Sequence, residues 1–353
     1  MFQEAFKYYK ARNPPPSFEN VIDVCKSSPA GLDQRLKTIA SAITKDAHHP
    51  GLIPAQEWKI YEILDRPGLI LIANPFTKPA QRYWMTRCLL DYPKHPNRTN
   101  LPETVIDQFG AYSGTDDPRE HFDWWFIAHS IEDPQQRTKL WKALRWTTLG
   151  YHYDWTNKVY DEAARNDFPA DLGELCRHFA ETLGFHGFRP EAAIVNYYPT
   201  GSTLAGHTDH SEKNLEAPLF SFSFGQPAVF LIGGPTRDEK PDALLLRSGD
   251  VIVMTRASRL CYHAVPKVFP CAESGRQRWA EPEAEESETM ATTAEEAPVA
   301  PAAYAANVWN DSHRNRGWQQ QSTSNGNGFA DYISNSRINI NIRQVLNEGE
   351  NHL

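Results

Sequence analysis

Short apolar runs separated by turn-forming residues dominate the chain from residue 192 to residue 254. The runs cover residues 192–198, 219–224, 228–232, 243–246 and 251–254, with Gly, Pro, Asp and Asn between them. Short runs with regular turn signals indicate an all-β sandwich or barrel. Strict alternation returns at Arg337 to Val345 near the end of the chain, so we expect this segment to add a strand to the same structure.

Residues 1–140 have a different pattern. Apolar residues three to four positions apart near the N-terminus predict helix with breaks over residues 1–60. A short apolar run flanked by Pro-Gly and Asn-Pro predicts a buried strand near 69–73, and amphipathic helices are predicted over 79–92 and 135–146. We therefore predict an α+β protein whose β-rich domain follows a mainly helical N-terminal extension over residues 1–140.

Residues 270–328 interrupt the β-rich region. They are rich in Glu, Ala, Pro, Thr, Ser, Asn and Gln and poor in periodic apolar residues, which predicts a disordered, acidic insertion. The β-rich domain is thereby divided into residues 141–269 and 329–347. The seven glutamates of 281–300, a stretch without Lys or Arg, account for most of the net charge, and without them it changes from -8 to -1. A nearly neutral body can carry a local basic groove, so the charge does not exclude a nucleic-acid partner.

The cysteines and the N-terminus indicate the compartment. The five cysteines are widely spaced and contain no CxxC pair, which predicts reduced thiols rather than a zinc ribbon or a disulfide framework. No apolar run reaches the roughly 18–20 residues that span a bilayer. The N-terminus lacks a basic region followed by an apolar stretch, so we expect an intracellular protein. Cytoplasm and nucleus are the favoured compartments, and the mitochondrion stays an alternative.

Three side chains are candidates for metal ligands. His207 and Asp209 form an HxD pair after a Gly-Ser-Thr turn, and His263 follows a later strand. Two imidazoles and one carboxylate on one face of a metal ion leave three positions open, as in the non-heme Fe(II) oxygenases. His210 is a rival ligand, but alternate residues of extended chain point to one side, which favours His207 with Asp209. An HxD pair alone is more often a turn histidine beside a surface aspartate.

The alternating segment 337–343 is the second candidate element. Arg337, Asn339, Asn341 and Arg343 share one face of a strand, and three isoleucines share the other. The polar face is either solvated or a wall for an organic diacid, since an arginine can bind a carboxylate through two hydrogen bonds. Asn196 and Tyr198, on the strand before the HxD turn, also share a face and could bond to the same ligand. An organic diacid such as 2-oxoglutarate would chelate iron at one end and need a cation at the other.

The ordered set of motifs resembles the AlkB family of Fe(II)/2-oxoglutarate dioxygenases. The set consists of Leu149-Gly150-Tyr151-x-Tyr153, Asn196-x-Tyr198, His207-x-Asp209, Ser221-x-Ser223-x-Gly225, Phe230-x-x-Gly233-Gly234, His263 and Arg337-x-Asn339-x-Asn341-x-Arg343. The resemblance implies a double-stranded β-helix (jelly roll) and an oxidation that uses Fe(II), 2-oxoglutarate and O2. It further implies His207, Asp209 and His263 as iron ligands. Arg337 would hold the distal carboxylate of 2-oxoglutarate, and Asn196, Tyr198 and Arg343 would orient this cosubstrate near the metal.

Segments in the N-terminal half narrow the resemblance to the eukaryotic branch of the first AlkB homologue. Gly68-x-x-x-Ile72-x-Asn74-Pro75-Phe76 is similar to that branch, as is the long insertion before the final arginine strand. The branch is linked to demethylating 1-methyladenine in tRNA, oxidising 5-methylcytosine in tRNA, acting on 6-methyladenine in DNA and cleaving abasic sites. Ser211 and Asn341 depart from residues that other members carry, an acidic base-contacting residue and a threonine.

Two groups of residues are candidates for the substrate side. Trp146, Tyr151, Tyr153 and Trp155 form a dense aromatic segment that could stack on a base, or could equally be an apolar patch joining two subdomains. Arg237, after Gly233-Gly234-Pro235-Thr236, aligns with a substrate-contacting position of the family, and otherwise is an arginine at a hairpin tip.

These observations together predict a dioxygenase that demethylates or hydroxylates methylated bases in nucleic acid, with 1-methyladenine of tRNA favoured and DNA also possible. A protein hydroxylase of the same superfamily would use the same iron site with a different lid. A catalytically silent nucleic-acid adaptor would keep the fold but has no need of an intact ligand set. A cupin-like fold with structural zinc would more often close its metal site with a fourth protein ligand.

Overall fold

The predicted β-rich region forms two antiparallel sheets. The computed structural model describes residues 1–26, 33–43, 48–110, 122–270 and 328–353. The insertion predicted to be disordered falls almost entirely on 271–327, outside the described residues. The chain divides into two compact units, Met1–Pro270 with Asn335–Leu353, and Cys271–Ser334. Of the second unit the structure describes residues 328–334, which are helical.

The elements of the described chain follow in sequence order. The helices are α1 (Phe2–Lys10), α2 (Lys78–Thr86), α3 (Glu103–Gly110), α4 (Trp124–Ser130), α5 (Pro134–Ala143) and α6 (Ala170–Thr182), with short turns of 3-10 helix at Ala55–Glu57 and Arg256–Leu260 and of π-helix at Arg87–Asp91. The strands are β1 (Leu36–Ile39), β2 (Lys59–Ile63), β3 (Leu69–Ala73), β4 (Arg98–Thr99), β5 (Trp146–Asp154), β6 (Val159–Arg165), β7 (Ala192–Pro199), β8 (Leu204–His207), β9 (Leu219–Gly225), β10 (Ala228–Ile232), β11 (Asp242–Leu246), β12 (Val251–Met254), β13 (His263–Val268) and β14 (Ser336–Arg343).

The two sheets differ in length. The long sheet has the order β1-β2-β3-β12-β9-β14-β7-β5-β4, with β6 paired to β5, and the short sheet has the order β11-β10-β13-β8. Every strand pair within them is antiparallel. Two opposed antiparallel sheets with helices outside them are consistent with a jelly-roll core. The strands predicted from the apolar runs are thereby confirmed to within one or two residues, including β3 and β14.

The main core lies between the sheets. Leu71, Leu219 and Ile252 of the long sheet pack in one cluster with Phe230 and Ile232 of the short sheet. Strand β10 is buried throughout because its alternate residues, such as Leu231, pack on the other side against α1. Burial on both faces explains why this run reads as continuously apolar rather than alternating.

Strand β14 lies in the middle of the long sheet, between β9 and β7. Ile338, Ile340 and Ile342 are fully buried, and seven of the eight residues of β14 are buried. The solvated-face interpretation of this strand is therefore wrong. Gly225 at the end of β9 has a φ of 76°, and a Cβ there would lie 2.5 Å from the carbonyl oxygen of Ser336. Only glycine allows β14 to start so close to β9.

The helical prediction for the N-terminal part needs correction. Beyond α1, the chain up to residue 63 contributes β1 and β2, and these strands with β3 extend the long sheet. Helices α1–α5 are present, so residues 1–140 are mixed rather than mainly helical. The reason is tertiary pairing: β2 alternates too briefly to be recognised, and its register with β3 fixes it as a strand. Among the described residues no helix is long and apolar enough to span a bilayer.

A buried histidine on β5 predicts a dependence of stability on pH. His152 is 3% exposed, its Nε2 accepts a hydrogen bond from Asn166 (2.7 Å), and its Nδ1 lies 2.7 Å from the Thr148 hydroxyl. Burial, with the nearby positive charge of Arg98, lowers its pKa from 6.5 to about 4. The unfolded chain therefore takes up this proton first, and stability is lost as the pH falls from about 6.5 towards 4.

We expect this histidine to contribute roughly 1–3 kcal/mol to that loss. The measurement is urea unfolding at several pH values, for the wild type and for His152→Gln, which keeps hydrogen-bonding groups but does not titrate. The difference in unfolding free energy between the two proteins should change with pH. If the unfolding free energies of the two proteins changed with pH in parallel, the acid sensitivity would come from other histidines.

Candidate active site

Two histidines and one aspartate meet at the edge of the short sheet. The ligand atoms of His207, Asp209 and His263 all lie within 4.8 Å of one another. Asp209 Oδ1 is 3.8 Å from His207 Nε2, and its Oδ2 is 3.8 Å from His263 Nε2. Such a triangle is the size that one metal ion with ligand bonds near 2 Å fills. His210 instead contacts the Thr208 hydroxyl and is not a member of the cluster.

Pairing of strands β8 and β13 produces this arrangement. His207 ends β8 and His263 begins β13, and the two residues lie directly opposite each other in the register. Their rings are 4.3 Å apart between centroids. Asp209 follows two residues after His207, where β8 has ended, so that its carboxylate turns back towards both rings. One strand pair thus brings together two histidines that are far apart in the sequence.

Backbone carbonyls fix the tautomers of both histidines. His207 Nδ1 lies 3.0 Å from the carbonyl oxygen of Ala205, and His263 Nδ1 lies 3.1 Å from that of Cys261. A carbonyl oxygen only accepts, so each Nδ1 carries the hydrogen. Each Nε2 then presents its lone pair to the centre of the triangle, which is the orientation that metal-binding histidines adopt.

The charge states also suit a divalent metal. Burial and the neighbouring His207 lower the pKa of His263 from 6.5 to about 4, so its ring is neutral at pH 7. Burial opposes ionisation of Asp209, but Arg343 and the two histidines outweigh it and hold the pKa of the carboxyl well below its usual range. At neutral pH the triangle therefore offers the neutral ring of His263 and an ionised carboxylate, which are the protonation states that metal binding requires of these two residues.

An arginine of β14 holds the aspartate in place. Arg343 Nη2 donates to Asp209 Oδ2 at 2.7 Å, and Arg343 Nε lies 3.1 Å from Glu212 Oε1. Its Nη1 donates to the carbonyl of Asn341. The sequence predicted that Arg343 orients the cosubstrate. In the structure its three nitrogens each contact a protein acceptor, and one of these acceptors is the candidate ligand Asp209. The cosubstrate role of Arg343 stays a prediction.

At the other end of β14, Arg337 is a buried cation without a carboxylate. Its Nη2 donates to the Ser223 hydroxyl (2.6 Å) and its Nη1 to the Gln226 carbonyl (3.4 Å), while Nε has no hydrogen-bond partner. The side chain is 2% exposed, and no described carboxylate lies within ion-pair distance of it. Burial lowers its pKa to about 10. An uncompensated buried charge is costly, so this position calls for an anionic ligand.

The other predicted cosubstrate residues lie beside Arg337. In the register of β7 with β14, Tyr198 is opposite Arg337 and Asn196 is opposite Asn339. Asn339 donates from Nδ2 to the Ser221 hydroxyl and to the Phe222 carbonyl, at 2.9 and 3.0 Å. Burial raises the pKa of Tyr198 to about 12, so it stays a neutral hydroxyl. The strands β7, β14 and β9 thus form a polar wall in which Arg337 provides the positive charge.

Part of the predicted aromatic group lies near this centre. The rings of Trp146 and Trp155 are stacked with their centroids 4.0 Å apart, and the ring of Tyr153 meets Trp155 edge-on. The Tyr153 hydroxyl lies 3.1 Å from that of Ser211, two residues after Asp209. Trp155 is 42% exposed, which leaves one aromatic face available to solvent or to a ligand.

Tyr151 is a correction to the predicted substrate group. It is 1% exposed, donates to Glu162 Oε2 (2.6 Å) and packs beneath the guanidinium of Arg165. It belongs to a core cluster with Val345 and Leu346, so it cannot stack on a base. Tyr153 packs against the same cluster but is only partly buried, and the register between β5 and β6 shifts between the two tyrosines.

Arg237 lies on the loop between β10 and β11, next to the metal candidates. Its guanidinium packs over the ring of Tyr262, 5.0 Å from the centroid, and Nη2 donates to the carbonyl of Gly206 (3.4 Å). Gly206 directly precedes His207. The side chain is exposed. Exposure is compatible with both interpretations, an arginine at the tip of a hairpin and an arginine that contacts substrate.

Sequence reasoning missed two residues that the structure brings to the site. Glu212 and Arg259 are each 2% exposed and form an ion pair at 2.9 Å beside Arg343. The sequence patterns assigned no role to either residue. The local sequence could not identify Arg259 as a buried residue. A charged residue is rarely buried without a partner, and the partners of Arg259 are far away in the chain.

Known proteins similar to this chain include several oxygenases. A mouse protein (Mus musculus) named nucleic acid dioxygenase ALKBH1 is 38% identical over 76% of this chain and 70% of its own length. A protein of Arabidopsis thaliana named DNA N(6)-methyladenine demethylase ALKBH1A is 30% identical over 91% of this chain and 90% of its own. The tRNA demethylase abh1 of Schizosaccharomyces pombe is 37% identical over 60% of this chain and 72% of its own.

The family model of the 2OG-Fe(II) oxygenase superfamily matches residues 68–343. Enzymes of this superfamily use Fe(II) and 2-oxoglutarate with O2, and two features of the structure fit these groups. The triangle of two imidazoles and one carboxylate suits Fe(II), and the buried Arg337 with its unpaired Nε suits a carboxylate. The chain therefore belongs to the 2OG-Fe(II) oxygenase superfamily and, within it, to the AlkB family in the branch of the first eukaryotic homologue.

Proposed function

We propose that this dioxygenase oxidises methylated bases of nucleic acid, with 1-methyladenine of tRNA as the favoured substrate. The observation that carries the proposal is the pairing of two sites: a three-ligand metal triangle and, on the adjoining sheet, a buried arginine that lacks an anion. A silent adaptor has no use for either. The intact ligand set therefore favours catalysis over binding alone.

The roles of the three ligands follow from their contacts. His207 and His263 would each bind Fe(II) through Nε2, and Asp209 through one carboxylate oxygen. When bound, the iron with 2-oxoglutarate and O2 supplies oxidation of a methyl carbon, with CO2 and succinate as coproducts. A hydroxylated N-methyl group is unstable and leaves the base as formaldehyde. The chain itself fixes the tautomers of the ligands and keeps the carboxylate ionised.

The polar wall would bind the cosubstrate. Arg337 would hold the distal carboxylate with its unpaired Nε, and the neutral hydroxyl of Tyr198 lies opposite it in the strand register. Asn196 would donate to the same ligand, while Asn339 shapes the wall because its amide hydrogens are already bonded to β9. Burial of these groups excludes water from the cosubstrate, which strengthens each charge-assisted hydrogen bond.

The substrate base would lie on the exposed side of the metal. The names of the relatives divide between tRNA and DNA, and in either polymer a base must leave its stack to reach the iron. Trp155 stacks on Trp146 and offers an exposed aromatic face near the metal triangle. Arg237 offers a cation beside His207. Aromatic stacking accepts any base, so recognition of the methyl group must come from the pocket around the metal.

The test is turnover with defined substrates. The protein is reconstituted with Fe(II) without oxygen and then given 2-oxoglutarate, O2 and tRNA that carries 1-methyladenosine; DNA with 6-methyladenine and unmethylated tRNA serve as parallel substrates. Methylated nucleosides and succinate are quantified together, and protein without Fe(II) is the control. We expect loss of 1-methyladenosine with an equal yield of succinate.

Other results would change the proposal in different ways. Succinate without any change in tRNA nucleosides would keep the oxygenase and reject this substrate, and would direct the search to DNA, 5-methylcytosine and protein hydroxylation. Neither product from folded, iron-loaded protein would contradict the proposed catalysis and favour the adaptor.

Replacing Trp155 with alanine tests the substrate side alone. Loss of a base-stacking face costs roughly 1–3 kcal/mol per base, so the KM for tRNA should rise about tenfold or more. The KM for 2-oxoglutarate should stay the same, because β7 separates the strand that Trp155 follows, β5, from the strand of Arg337. Phe126→Ala is the matched control, since that ring is similarly exposed but lies on α4. An unchanged KM for tRNA would return the aromatic pair to a purely structural role.

Two further sequence predictions stand as proposals here. We infer that the double-stranded β-helix consists of residues 141–269 and 329–347, with residues 1–140 as an extension. The opposed sheets support it, because the metal candidates lie on the short sheet and the cosubstrate wall lies on the long one. An intracellular location stays a prediction from the sequence.

A further inference from the structure

Three buried charged side chains, Arg343, Glu212 and Arg259, form a network with the partly buried Asp209 of the metal triangle. Arg343 bonds to both Asp209 and Glu212, and Glu212 in turn bonds to Arg259. Tyr160 donates from its hydroxyl to Glu212 Oε1 at 3.1 Å. Two cations and two anions balance, so the network is neutral. Glu212 is the bridge, because each of its carboxylate oxygens faces a different arginine.

Arg259 fixes the loop that carries the metal ligand. Its Nη1 donates to the carbonyl of Asp209 (2.7 Å), its Nε to that of Ala217 (3.2 Å), and its Nη2 to Glu212 (2.9 Å). The main chain of Asp209 is thereby held from one side by Arg259. The side chain of the same residue is held from the other side by Arg343.

The contact of Arg343 with Asp209 has a chemical consequence. A carboxylate that binds a metal through both oxygens occupies two coordination positions, and one that binds through a single oxygen occupies one. Arg343 takes Oδ2 in a charge-assisted hydrogen bond, which leaves Oδ1 for the metal. Single-oxygen binding keeps three positions open for a chelating cosubstrate and O2.

We propose that Glu212 and Arg259 are positioning residues that set how Asp209 binds metal. Neither contacts a ligand atom of the triangle: Glu212 orients Arg343, and Arg259 orients the backbone of Asp209. This inference rests on the proposed metal site. The inference goes beyond the three proposed ligands, because it makes the affinity for the metal depend on Glu212 and Arg259, which are not ligands.

The test measures metal affinity separately from turnover. Binding of Co(II) to the metal-free full chain is followed by visible absorption, and kcat and the KM for 2-oxoglutarate are measured at saturating Fe(II). The double variant Glu212→Gln/Arg259→Met removes one anion and one cation, so the network stays neutral and the change is compatible with folding. Arg259→Lys keeps the charge but can reach only one of three acceptors. Asp23→Asn is the control, since it breaks another buried ion pair, with Arg247.

We expect the Kd for Co(II) to rise roughly 10- to 100-fold in the double variant, as for other residues that orient metal ligands. Arg259→Lys should give a smaller rise, and Asp23→Asn none. The KM for 2-oxoglutarate should stay constant, because Arg337 keeps its contacts. A wild-type Kd in both folded Arg259 variants would overturn the inference, and Arg259→Lys alone decides if the double variant does not fold. Failure of the wild type itself to bind Co(II) would instead overturn the proposed metal site.

Discussion

The His207→Ala variant is expected to lose all oxidation of methylated nucleic acid, whereas His210→Ala, three positions along the chain, is expected to keep it. His207 provides one of the three ligand atoms of the triangle, while His210 lies outside this cluster and bonds to Thr208. Two remaining ligands bind a divalent ion too weakly to hold it during turnover. The measurement is succinate and nucleoside yield under Fe(II) saturation for both variants.

We expect both variants to fold, so the comparison reports on activity rather than on stability. The His207 side chain is 37% exposed and makes its hydrogen bond to a neighbouring carbonyl, so its removal leaves no buried group unpaired. Both variants should therefore unfold at the same temperature as the wild type. Loss of turnover in His210→Ala with activity kept in His207→Ala would reverse the ligand assignment.

The Arg337→Met variant is expected to combine a large loss of cosubstrate binding with unchanged or increased stability. Methionine fills a similar volume but offers no hydrogen bond to a carboxylate. Removing one partner of a buried charge pair costs roughly 2–5 kcal/mol of binding free energy, so the KM for 2-oxoglutarate should rise by at least about tenfold. The KM is measured at saturating iron, with Lys267→Met as control, because Lys267 lies on β13 and its ammonium bonds to the carbonyl of Ala11.

The stability effect follows from the sign of the pKa shift. Burial lowers the pKa of Arg337 from 12.5 to about 10, so the folded chain holds this proton less tightly than the unfolded chain does. Folding is therefore opposed at every pH below about 10, including neutral pH. Replacing the cation removes this cost when no anion is bound. A clear drop in the unfolding temperature of the cosubstrate-free variant would show that Arg337 is structural.

The strands and the cluster of candidate metal ligands could be predicted because local patterns encode them. The runs of β7, β9 and β12 are bounded by turn residues, and HxD places two ligands on one side of an extended segment. The polar face of β14 was also visible as strict alternation. Whether that face met water or a ligand depended on its neighbours, and only the position of β14 between β9 and β7 decided it.

Contacts between distant charged residues could not be predicted. Glu212 and Arg259 are 47 positions apart, and nothing local marks either as buried. The contact of Arg343 with Asp209 was missed for the same reason, since it depends on how two sheets face each other. Tyr151 and Tyr153 have the same sequence signal, yet Tyr151 is fully buried in its cluster whereas Tyr153 is only partly buried against it. The strands β1 and β2 were missed because they are too short to show the alternating pattern of a β-strand.

The position of β14 has a consequence for how the chain acquires its structure. β14 comes last among the strands, after residues 271–327, yet it inserts between β7 and β9 and contacts both along its length. Until it arrives, β7 and β9 expose two unpaired edges, which are prone to intermolecular pairing. During synthesis the long sheet therefore stays divided between β7 and β9 until β14 has left the ribosome. The entropy of closing a loop grows only logarithmically with its length, so the insertion can lengthen or shorten in evolution with little effect on this last step.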